Sequence, residues 1–109
     1  ALDMSCDYAI EGATPAARLW TLVAYRPDGA QVQPAQGGVS ALYSGAILRY
    51  GDGSFTITMS RHPRPGNWLA VRGGGALRLT LRLYDTSVTG STDLIAPRMP
   101  AIRRGACTP

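Results

Sequence analysis

The stretch from Ala76 to Tyr84 reads Ala-Leu-Arg-Leu-Thr-Leu-Arg-Leu-Tyr, and it constrains the fold more than any other part of the chain. Leu77, Leu79, Leu81 and Leu83 alternate strictly with Arg78, Thr80, Arg82 and Tyr84. Side chains of a strand point alternately to opposite faces, so the leucines can enter one core while the polar set faces elsewhere. At helical spacing the same leucines would scatter around the axis and bury poorly. A β-strand at the heart of a sandwich is therefore expected, with the remaining strands as its partners.

The rest of the chain agrees with an all-β class. Thirteen glycines and eight prolines against one phenylalanine suit many tight turns. At 109 residues the chain is expected to form one domain with a single core, spanning 1–109. Residues 5–11 alternate Cys6, Tyr8 and Ile10 against Asp7, Ala9 and Glu11, as a strand with its cysteine turned inward. After a turn around Pro15, Trp20 to Tyr25 is apolar at both parities, which predicts a central strand buried on two sides. Arg26-Pro27-Asp28-Gly29 fits a β-turn, and an exposed loop is expected to Gly38. Val39 to Tyr50 fits neither period, and strand pieces with a bend at Ser44-Gly45 are expected. Gly51-Asp52-Gly53 is a hairpin signal. Phe55, Ile57 and Met59 then alternate with hydroxyl residues. Arg61 to Gly66 is forced into a loop by Pro63, Pro65 and Gly66, and Asn67-Trp68-Leu69 ends it with a large anchor. Gly73-Gly74-Gly75 turns the chain into the leucine strand. From Leu94 to Ile102 the chain is expected to cover one edge of the sandwich, Pro97 and Pro100 limiting regular pairing.

All eleven basic residues are arginine, and the net charge is +4. The arginines are spread from Arg18 to Arg104 rather than gathered with interleaved aromatics, which argues against a nucleic-acid stripe. Arginine, alanine, glycine and proline are abundant together, as in a GC-rich coding sequence. No run approaches the roughly 20 apolar residues needed to cross a bilayer. The chain opens on Ala-Leu-Asp, so it is expected to be a processed or excised portion of a longer product. Cys6 and Cys107 lie near opposite ends. With one histidine present, no four-ligand metal site can be assembled from them. Two readings remain, buried thiols or a disulfide joining the termini; the disulfide is favoured and would imply an oxidising compartment.

Catalytic patterns are weak. His62, between Arg61 and Pro63, sits in a loop expected to be exposed, and neither Ser40 nor Ser54 lies in a Gly-x-Ser-x-Gly elbow. No carboxylate spacing supports glycoside hydrolysis. Gly73-Gly74-Gly75 lacks the lysine and helix of a phosphate cradle and reads as a turn. No catalytic residue, cofactor or metal is therefore expected. Trp20 is expected in the core and Trp68 as a loop anchor. A small polar or glycan site, if present, is expected at Asn67, Trp68, Arg82 and Tyr84 where loops converge.

The ordered set Cys6-Asp7-Tyr8, Trp20-Thr21-Leu22 with Tyr25, Asp52-Gly53-Ser54-Phe55-Thr56, Pro65-Gly66-Asn67-Trp68-Leu69 and Leu79-Thr80-Leu81-Arg82-Leu83-Tyr84, followed by Pro97 to Ile102, resembles the bacterial family known as domain of unknown function 1214. The resemblance runs from Cys6 to Cys107. It implies an all-β, jelly-roll-like antiparallel β-sandwich. Larger relatives carry the domain C-terminal to another uncharacterised one, family 1254. Shorter ones, common in alphaproteobacteria, carry it behind a membrane-spanning segment that places it in the periplasm, and often have cysteines near both ends. This chain departs in lacking the membrane segment, and in having Asp85 where many relatives have proline. The family supplies no accepted catalytic residues. The resemblance thus implies a non-enzymatic periplasmic interaction module, tethered to the inner membrane by a preceding anchor and serving as an accessory subunit of an envelope or membrane-protein complex. The alternative is a glycan- or small-ligand-binding domain at the four residues above, with a hydrolase third.

Overall fold

The computed structural model describes residues 2–12, 17–86 and 100–107. The Pro15 turn and most of the expected edge-covering stretch, Pro97 included, lie outside the described residues. The described strands are β1 (Leu2–Asp3), β2 (Cys6–Gly12), β3 (Ala17–Tyr25), β4 (Ala41–Tyr43), β5 (Phe55–Ser60), β6 (Asn67–Ala70), β7 (Ala76–Thr86) and β8 (Ala101–Cys107). A single 3-10 turn, Ser44–Ala46, follows β4 where the bend was expected.

The leucine strand β7 is the longest, at 11 residues, and lies inside its sheet rather than at an edge. The first sheet has the order β1-β7-β3-β4, the second β6-β5-β2-β8. Leu77 is buried, and Leu79 and Leu81 pack half-buried against the same core. From the facing sheet Tyr8, Ile10, Phe55, Ile57, Met59 and Leu69 enter that core, each at the inward parity of its strand. Trp20 lies in the core as expected, 2% exposed, and its ring stacks on Phe55 at 5.2 Å between centroids, joining the two layers. Each large side chain removed from water in this way contributes about 1.5–3 kcal/mol, so period-2 patterning decides the fold class. The protein is all-β.

Two features differ from the sequence reading. First, β3 is covered unevenly on its second face. Trp20, Leu22 and Ala24 point into the core, and on the opposite parity Val23 is buried as expected, but Thr21 and Tyr25 are only partly covered and Leu19, just before the expected span, is 51% exposed. Second, the sheets are not purely antiparallel, because β5 and β6 run parallel, Ile57 facing Asn67 and Ser60 facing Ala70. Parallel neighbours usually need a crossover of a dozen or more residues. Here the connection is the loop 61–66, which must return along the strand by the offset between Ser60 and Asn67. Asn67 faces Ile57, so the return is about three residues, roughly 10 Å along the strand, and six residues at up to about 3.5 Å each span it with slack for the turn at either end. Pro63 and Pro65 favour extended backbone, and Gly66 (φ 78°) makes the final reversal into β6.

The chain ends are joined. β8 pairs with β2, and Cys6 and Cys107 form a disulfide across 101 residues of sequence. Between the Tyr8–Arg104 and Cys6–Cys107 pairs, β8 carries one residue more than β2. This bulge, next to Gly105, brings Cys107 opposite Cys6 where regular pairing would present Ala106. Every residue of β8 is exposed. Its other visible ties are the ladder to β2 and the bidentate Arg103–Glu11 pair, at 2.8 and 2.9 Å.

Candidate functional site

The four nominated contact residues are divided between the two sheets. Asn67 and Trp68 open β6, and Arg82 and Tyr84 lie on β7 in the other layer. The Tyr84 side chain lies outside the described residues. Asn67 is engaged by backbone: its Nδ2 donates to the carbonyls of Leu48 (2.8 Å) and Thr56 (3.0 Å), and its Oδ1 accepts from the Leu48 N–H at 2.7 Å. It therefore pins the loop carrying Leu48 and Tyr50 onto β5. Trp68 donates its indole N–H to the Ser60 carbonyl at 3.0 Å, and its ring packs over Gly38. A Cβ at Gly38 would sit 2.5 Å from the Ala70 Cβ and 2.7 Å from the Trp68 ring, so only glycine permits this approach. Arg82 donates to the Tyr25 hydroxyl at 3.0 Å, with its guanidinium 5.7 Å from the ring centroid.

Arg82 belongs to a continuous surface, the outer face of the first sheet. Register places Thr21 between Arg82 on β7 and Tyr43 on β4, and Val23 between Thr80 and Ala41. Leu19, two residues from Thr21, projects from the same face. Leu19 (51% exposed) and Tyr43 (58% exposed) are its most accessible apolar groups, bordered by Arg78 and Arg82. Isolated exposed apolar residues are ordinary; an aliphatic and an aromatic one on the same sheet face beside arginine match the residue types enriched at protein-binding surfaces.

A cleft of about 820 Å³ lies elsewhere, at the C-terminal ends of β5 and β6, and its polar lining includes Gln36, Arg61, His62 and Arg72. The parallel pairing creates it. Because Ser60 faces Ala70, the chain leaves both strands on the same side, placing Arg61-His62 beside Val71-Arg72. The Val71 N–H continues the ladder to the Ser60 carbonyl at 3.2 Å, and Arg61 donates to the Gly73 carbonyl at 3.4 Å. Val71, fully buried, is the floor. Sequence reasoning put Arg61 and His62 in a loop and did not single out Arg72. The signal that would have united them is the pairing itself, which a short loop made unexpected.

The loop that carries His62 is fastened behind by carboxylate chemistry. Arg64 reaches Asp7 with two hydrogen bonds, at 2.8 and 3.1 Å, and the His62 N–H donates to the buried Ser60 hydroxyl at 3.0 Å. Burial pushes the Asp7 carboxyl up, but hydrogen bonds from Arg64 and Ser60 and the nearby Arg64 and His62 charges outweigh it, and its pKa is lowered. Asp3 is held low mainly by the Ser5 N–H and hydroxyl, with a smaller contribution from Arg61.

A family model described as "Protein of unknown function (DUF1214)" matches residues 1–88. No curated protein matches the chain significantly. Among solved structures, an uncharacterized protein from Burkholderia cenocepacia is similar in fold, with a TM-score of 0.64 and 23% identity. The likeness covers 98% of this chain and 28% of the Burkholderia chain, so the chain spans a little over a quarter of that protein's length. Among the described residues, no helix is long and apolar enough to cross a membrane.

Proposed function

This chain belongs to the DUF1214 family, and from the layout of its two sheets we propose that it is a non-enzymatic interaction module of the cell envelope. The observation that carries the reading is the outer face of β3, β4 and β7. There β3 offers the exposed Leu19 and the half-buried Tyr25, with the exposed Tyr43 on the neighbouring β4, to a partner, while Val23 between them is buried. The occupant we assign is a protein surface with apolar centre and acidic rim, complementary to Arg78 and Arg82. The Cys6–Cys107 bridge supports a periplasmic setting, since such bonds persist in oxidising compartments. The resemblance to short, anchored relatives supports a tether preceding Ala1 and a role as accessory subunit. The jelly-roll-like sandwich is the finer architecture proposed, supported by two four-stranded sheets sharing a core.

Native purification in mild detergent tests the reading. The full-length protein is expected to co-purify with a protein companion in fixed stoichiometry, and Tyr43→Arg to lose that companion while remaining folded. Recovery of the wild-type protein alone from crosslinked membranes would sink the proposal.

A further inference from the structure

From the cleft at the ends of β5 and β6 we infer a second site, independent of the docking face, that binds the phosphate monoester group of a small ligand. Arg72 and Arg26 have no side-chain hydrogen-bond or ion-pair partner among the described residues. Both approach Gly73: Arg72 precedes it in the chain, and the Arg26 Nη2 lies 3.6 Å from where a Gly73 Cβ would stand. Arg61 and His62 complete the basic wall. Two carboxylates lie near these groups. Asp3 acts on Arg61, and Asp7, close to His62, is already engaged by Arg64. The remaining balance is positive, with the Arg61 and Arg72 guanidinium groups in the lining and that of Arg26 beside its Gly73 rim.

Guanidinium forks match the oxygens of phosphate in a bidentate manner, and convergence from several elements gives a three-dimensional cradle rather than a charged stripe. The volume, about 820 Å³, falls in the range of small-ligand clefts and exceeds what one phosphate needs. Space therefore remains for the carrier of the phosphate, with the Gln36 amide available to its hydroxyl groups. The same chemistry is presented by a phosphorylated sugar and by the headgroup of phosphatidic acid.

The test is a titration of the full chain followed by backbone amide shifts. Inorganic phosphate and a hexose 6-phosphate are expected to shift the amides of 61–62 and 72–75, whereas the unphosphorylated hexose and chloride at equal ionic strength leave them in place. Arg72→Gln, at an exposed position, should weaken hexose phosphate binding roughly tenfold or more. Arg104→Gln, which removes an exposed cation on β8 outside the cleft lining, should change it less than twofold. Co-sedimentation with phosphatidic acid vesicles, compared with phosphatidylcholine vesicles, identifies a lipid source; binding of the soluble ester alone identifies a free one. Equal shifts from chloride and phosphate, or undiminished binding by a folded Arg26→Gln/Arg72→Gln protein, would overturn the inference.

Discussion

Breaking the Cys6–Cys107 bridge should both destabilise the protein and release one strand. The bond closes a loop with a sequence separation of 101, for which chain entropy gives a ceiling of about 4.7 kcal/mol. Part of that ceiling will not be realised, because the reduced strand can fray in the native state. Every residue of β8 is exposed, among the described residues it is an edge strand paired with β2 alone, and the exposed Arg103–Glu11 pair adds about 0–1 kcal/mol. A loss of about 2–4 kcal/mol is therefore expected. With a urea slope of about 1.5 kcal/mol per M, this lowers the midpoint by roughly 1.5–2.5 M. Urea unfolding of the oxidised and reduced protein measures it, and Cys6→Ala/Cys107→Ala provides a redox-independent check. Hydrogen exchange should show the amides of 101–107 losing protection before those of β5 and β7. A midpoint change below about 0.3 M, or β8 amides as protected after reduction as before, would refute the reasoning.

Three further outcomes follow from local geometry. Asn67→Ala removes three hydrogen bonds, two of them at the exposed Leu48 where water replaces the amide, and should cost about 0.5–1.5 kcal/mol in urea unfolding while increasing exchange at Leu48. Gly38→Ala drives a methyl group into Ala70 and Trp68 and should cost about 1–3 kcal/mol, whereas Gly74→Ala, with open space around its Cβ, should be neutral or slightly stabilising by thermal melting. Because the Asp7 pKa is lowered on folding, its contribution is complete above the unfolded value near 3.9 and is lost as pH falls through the lower folded value. Arg64→Gln should thus destabilise at pH 7 but not at pH 2, as read from melting curves across that range.

The sequence showed the strands through alternation wherever one face was plainly apolar, as in β7, β5 and the Cys6–Ile10 part of β2. It misjudged β3 in part. Apolar residues at both parities are the mark of burial on two sides, and Val23 is buried, yet Leu19 is exposed and Thr21 and Tyr25 only partly covered, so the second face is covered in part. It also did not reveal that β5 and β6 are parallel, because pairing direction depends on where a loop leads the chain, and Pro63 and Pro65 look like ordinary breakers. The grouping of Arg61, His62 and Arg72 was lost with it. Trp68 was recognisable as an anchor, whereas Asn67 was read as a contact residue and instead holds backbone, because which groups it meets depends on long-range register that composition does not carry.

The central claim, docking through the outer face of β3, β4 and β7, is tested most directly by site-specific photo-crosslinking in membranes. A benzophenone side chain is placed at Tyr43 and, for comparison, at Thr58 on the outer face of the other sheet. A discrete crosslinked species from position 43 and none from position 58 is the predicted result. Crosslinks from 58 with none from 43 would contradict the account and move the interface to the opposite layer.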